Sequence, residues 1–127
     1  MNTQVLSDML HKLMLYEAAS KRLIASRKAT LLKQALVANR SIGGQLTDCQ
    51  TQLEQVLALG VQVMPITRKL LVESKVERQN HGLMTGDSLH VGNMNRHSAP
   101  ILNIATKDGD FAHINGLTVW EPMDVVP

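Results

Sequence analysis

The chain changes texture near Gly82. Before it, apolar side chains recur at three- and four-residue steps among Ala, Leu, Gln and Lys; after it come short apolar runs broken by Gly, Asn, Asp and Pro. The first pattern belongs to amphipathic helices and the second to short strands joined by tight turns. The expected fold class is therefore α+β. An N-terminal long-helix hairpin, or stem, occupies 1–81, and a small C-terminal antiparallel β meander or partly open barrel occupies 82–127. With 127 residues the chain has the length of about one domain, enough for one modest core. Because only Tyr16, Phe111 and Trp120 are aromatic, that core must be aliphatic.

In the stem, Leu6, Leu10, Leu13, Met14, Ala18, Ile24, Ala25, Ala29, Leu32 and Leu36 follow helical spacing with no Gly or Pro among them. This predicts one long helix, or two joined helices, from Thr3 to Arg40. Unbroken, it would reach roughly 55 Å at 1.5 Å per residue. A domain this small cannot cover that length, so part of the helix is expected to pack against another chain. Lys21 and Lys28 fall near the middle of the apolar stripe; their stems must reach an edge, or the helix must bend between Ser20 and Ser26. Ser41-Ile42-Gly43-Gly44 predicts a turn at 41–44. Gln45 to Leu59 resumes the helical pattern, and a third helix over about 66–78 is begun by Pro65 and ended by Gly82.

The C-terminal half carries a hairpin signal in Phe111 to Trp120, where Asn115-Gly116 suits a type I′ turn. Counting outward from that turn places Phe111, His113, Thr118 and Trp120 on one face. Ile101 to Thr106 supplies a third strand through the turn Lys107-Asp108-Gly109-Asp110, and Ser88 to Val91 a fourth. Covering the Phe111 and Trp120 face calls for a long loop or a second subunit.

Chemistry-bearing patterns are weak. His81, His90, His97 and His113 lie in the same half as Asp87, Asp108 and Asp110, but their spacing matches no ligand signature. Asp108-Gly109-Asp110 resembles the start of a calcium loop without the closing Glu, and a turn explains it better. Neither a metal nor another cofactor is expected. The sequence has no phosphate-cradling Gly-rich loop, no nucleophile elbow, and no plausible base beside Cys49. The expectation is a protein that is not an enzyme and takes no small-molecule substrate. Cys49 is the sole cysteine, which suits a reducing interior or a redox-indifferent particle. With no signal-peptide pattern and no long charge-free apolar run, the chain is expected in the cytoplasm or within an assembled particle, without membrane insertion.

Charge is distributed unevenly. Residues 1–40 hold Lys12, Lys21, Arg22, Arg27, Lys28, Lys33 and Arg40 against Asp8 and Glu17, a balance of +5; from 81 onward two cations face five acids, a balance of −3. Such polarity suits contact with nucleic acid or with the acidic part of a neighbouring molecule. The expected function is a non-catalytic, self-associating or partner-binding structural or adaptor protein of a larger assembly, of which a virion or secretion-type particle would be one kind. Its interface residues would be Leu6, Leu10, Leu13, Ile24, Leu31, Leu32, Phe111 and Trp120. The alternative is a small basic-helix nucleic-acid-binding or regulatory protein using Arg22, Lys33 and Arg40, which share a side of a continuous helix.

Overall fold

Asn2 starts the first helix, α1 (Thr3–Ser20), by accepting the Val5 amide on its side-chain oxygen at 3.0 Å, which satisfies one of the donors a helix start leaves open. The helix stops at a feature that no Gly or Pro announces. Arg22 adopts φ 59°, the left-handed region. The Leu23 amide then reaches back to the Ala18 carbonyl at 2.9 Å and the Arg22 amide to Ala19 at 3.1 Å. This is the paired-bond ending that usually recruits glycine. An L side chain in that conformation costs about 1 kcal/mol, so Arg22→Gly is expected to raise stability by about that amount, measured by urea unfolding.

The computed structural model describes residues 1–121, and the chain divides into two units, Met1–Met64 and a second beginning at Pro65. In the first, α1 is followed by α2 (Ala29–Ala38), a short α3 (Ser41–Gln45) and α4 (Asp48–Ala58). The expected long helix is thus two helices separated by residues 21–28, and the 41–44 turn is itself a single helical turn. Ala18, Ile24, Leu32, Leu46 and Cys49 form the core, with Leu10, Leu13, Met14, Leu23, Leu31 and Leu36 packed against it. Breaking the helix lets α2 fold back onto α1 and pack against α3, while α1 packs along α4. The unit closes on itself where Met64 donates to the Met1 carbonyl at 2.8 Å and Thr3 to the Met64 carbonyl at 3.0 Å.

The second unit opens with α5 (Arg68–Glu73), capped by the Thr67 hydroxyl oxygen, which accepts the Leu70 amide at 3.1 Å. Ser74 joins it to α6 (Lys75–His81) with helical torsions, and Gly82 ends α6 at φ 64°. The expected strand at Ser88 to Val91 lies instead inside a helix, α7 (Thr85–Arg96). Small residues explain it. Ser74 and Ser88 are fully buried, and a Cβ on Gly92 would come within 3.1 Å of Leu70 Cδ1. Gly and Ser weaken a helix in isolation but allow α7 to lie close against α5 and α6, so packing overrides propensity.

The antiparallel meander or partly open barrel expected over 82–127 is overturned: the described residues are mostly helical, with two short strands that run parallel. β1 (Asn103–Ala105) and β2 (Thr118–Trp120) pair in the register Asn103 with Thr118, Ile104 with Val119 and Ala105 with Trp120. Residues 122–127 of the expected β region lie outside the described residues. The predicted Asn115-Gly116 hairpin is replaced by consecutive turns, in which Ala112 bonds Gly109, Ile114 bonds Phe111, and Leu117 bonds Ile114. Burial gives the reason. Phe111 and Ile114, three residues apart, enter one core with Leu83 and Val91. A strand would point them to opposite faces, whereas a turn points them the same way. Of the Asn115-Gly116 pair only Gly116 has positive φ, while a type I′ turn needs two such residues.

Candidate functional site

The first unit is organised around a buried carboxylate. Glu17, near the end of α1, accepts the amides of Asp48 at 2.9 Å and Cys49 at 2.8 Å, and so caps α4 from a different helix. Its third partner is Lys21 Nζ at 2.7 Å, which also donates to the Gln45 carbonyl at 2.7 Å and lies 3.7 Å from Asp48. Burial alone would raise the Glu17 pKa. The Lys21 ammonium and the two amides outweigh it and hold the group down at about 2. Burial and the Glu17 carboxylate push the Cys49 thiol up, which keeps it unreactive.

Beside this node, α1 and α2 leave a groove of about 400 Å³. Its apolar wall includes Met14, Leu32, Leu36 and Val37; His11, Lys33 and Arg40 stand along it. Val37 is 79% exposed. A second concavity of about 460 Å³ on the other flank of α2 shares Lys33 and Val37. Among the described residues, neither Lys33 nor Arg40 has an ion-pair partner.

The residues expected to form a stem interface serve mainly this unit's own core. Ile24 and Leu32 are buried in it, Leu10, Leu13 and Leu31 pack against it, and Leu6 is half-buried. The basic set divides too. Arg22 sits on the break between helices, so the shared side expected for Arg22, Lys33 and Arg40 does not form, while Lys33 and Arg40 meet at the groove. Two other cations are engaged internally, Lys21 with Glu17 and Arg27 over the Tyr16 ring at 4.2 Å.

In the second unit, Phe111, expected beside Trp120 on an open sheet face, is instead buried, because the turns at 109–114 tuck it under. Trp120 is 62% exposed, and its indole donates to the Asn103 side chain at 3.0 Å. Leu71, Val72 and Val76 form an exposed apolar strip on α5 and α6, with Val72 at 65% and Val76 at 52%. Val72 and Val76 lie on either side of Ser74, the residue that joins the two helices.

The carboxylates of Asp87, Asp108 and Asp110 converge with ligand atoms all within 4.8 Å of one another, an oxygen set of the kind that suits a hard cation. Burial and then the charges of Asp108 and Asp110 raise the Asp87 pKa, with His90 opposing. Asp108 also accepts the Asp110 amide at 2.9 Å and caps the helical turn Gly109–Phe111. His113 donates to the His81 carbonyl at 2.6 Å and His97 bonds Ala99; among the described residues the close-set ligand group consists of the three aspartates.

Sequence reasoning missed Glu17, His11 and Val37. Glu17 had one signal, a lysine four residues on that interrupts the apolar stripe. The groove had none, because it depends on how α2 folds back after the break.

Among the described residues, no helix is long and apolar enough to cross a membrane. Comparison with protein-family models, with curated proteins and with solved structures finds no match.

Proposed function

We propose that the chain is a non-catalytic structural or adaptor protein that self-associates or binds protein partners within a larger assembly. The observation that carries this reading is the strip of Leu71, Val72 and Val76 left in solvent on consecutive helices. Contiguous exposed apolar surface marks sites of protein contact. It has a further support in Trp120, an aromatic of the type enriched at interface centres.

The test is the absolute mass of the purified chain by size-exclusion chromatography with light scattering, at two concentrations and two salt levels. A defined oligomer or growing polymer is expected, and Val72→Glu with Val76→Glu should return it to monomer. Both residues are exposed, so the variant should keep its helical circular dichroism. A wild-type chain that stays monomeric throughout overturns self-association, and a double variant that assembles unchanged removes the strip as its cause.

A further inference from the structure

We infer that the groove between α1 and α2 binds an acidic amphipathic helix from a partner protein. This rests on the partner-binding reading above but uses a different surface, in the other unit. The groove pairs an apolar wall of Met14, Leu32, Leu36 and Val37 with the cations Lys33 and Arg40, neither of which has an ion-pair partner among the described residues. An amphipathic helix offers the complement: apolar residues at three- and four-residue steps for the wall, and carboxylates along their edge for the cations.

Other occupants fit less well. A small ligand needs most of its surface enclosed, whereas His11, Lys33, Val37 and Arg40 are all exposed and the concave surface continues over the far flank of α2. Nucleic acid would use the cations but gain nothing from the leucines, methionine and valine. A second copy docked groove to groove would gather both copies' Lys33 and Arg40 into one interface whose lining holds no carboxylate, and like charges brought together there oppose binding. An acidic partner helix uses both halves of the groove, and electrostatic attraction speeds its encounter.

The probe is a fluorescein-labelled synthetic peptide of about 14 residues, long enough to span α2, with Leu on one face and Glu on the other. Saturable anisotropy binding to the full chain is expected, weakening with salt. Lys33→Glu with Arg40→Glu should weaken it at least about tenfold, and Val37→Asp should weaken it at every salt level. All three positions are exposed, so the variants should retain the wild-type circular dichroism spectrum. The inference is overturned if the Glu peptide does not bind, if a Lys-for-Glu peptide binds equally well, or if the charge variants leave binding unchanged. It is also overturned if a DNA duplex displaces the peptide and binds Val37→Asp as tightly as the wild type. Failure here with assembly still lost in the Val72 and Val76 variant would leave the proposed function standing; peptide binding by a monomeric wild type would retain the groove and remove self-association.

Discussion

Replacing Glu17 with Ala is expected to lower the stability of the first unit by about 3 kcal/mol. The carboxylate is 4% exposed and joins three partners: the two amides that begin α4, and Lys21. Removing it leaves those amides unsatisfied near the core and Lys21 without its closest counter-ion. Cys49 gives a local readout, because its thiol is buried and its own amide is one of the bonds lost. The rate of labelling by a thiol reagent follows the population of opened unit, and a loss of about 3 kcal/mol should raise it by about two orders of magnitude. Glu17→Gln, which keeps the shape and one acceptor, should fall between wild type and Ala. Labelling of Glu17→Ala at the wild-type rate would show that the cap is dispensable.

The pH dependence follows from the same carboxylate. Its ordinary pKa is 4.5 and its folded value about 2. A depressed carboxyl contributes stability that is fully present above the unfolded pKa and lost as the pH falls through the folded one. The wild type should therefore lose this contribution between pH 4.5 and about 2, while Glu17→Gln should lack that part of the acid slope. Equal slopes in urea unfolding across that window would contradict the assignment.

The sequence disclosed the helical faces better than the places where they end. Leu10, Leu13 and Met14 recur at helical spacing and do pack inward, because one-face burial leaves a periodic trace. The end of α1 left none, since Arg22 takes a position where glycine is the usual signal. The second half misled through local cues that tertiary packing overrode. Ser88, Gly92 and Asn93 are poor helix formers, yet their small side chains let α7 approach its neighbours. Asn115-Gly116 is a strong hairpin signal, but Phe111 and Ile114 gain more by entering one core together. At the groove, the charges of Lys33 and Arg40 were legible as residue types. Their meeting with His11 and Val37 was not, because it requires the chain reversal at residues 21–28.

Replacing Arg96 with Met should destabilise the second unit by about 3 kcal/mol. Arg96 donates to both carboxylate oxygens of buried Glu77, to the Glu73 carbonyl at 3.1 Å and to the Gly92 carbonyl at 3.2 Å, and lies 3.4 Å from the Glu73 carboxylate. One guanidinium thus ties α7 to both α5 and α6, a geometry that a lysine ammonium cannot reproduce. Burial would raise the Glu77 pKa, but Arg96, with help from Asn95, lowers it below 4.5. Without Arg96 the largest influence lowering it is gone, and burial works against the charged form. In the wild type this group supports folding above its unfolded pKa and loses that support as the pH falls. In Arg96→Met the folded pKa is expected to rise toward the unfolded one, so this group's support for folding above its unfolded pKa shrinks and less of it is lost on acidification. A smaller acid-induced loss of the Glu77 contribution in Arg96→Met than in the wild type, isolated by subtracting the Glu77→Gln background in urea unfolding, would mark the loss of a charge partner rather than of packing alone. Adding Glu77→Gln to Arg96→Met should recover much of the stability, since it removes the stranded charge. If the double variant is as unstable as the two single effects added, the helices are held by the aliphatic stem of Arg96 and not by the ion pair.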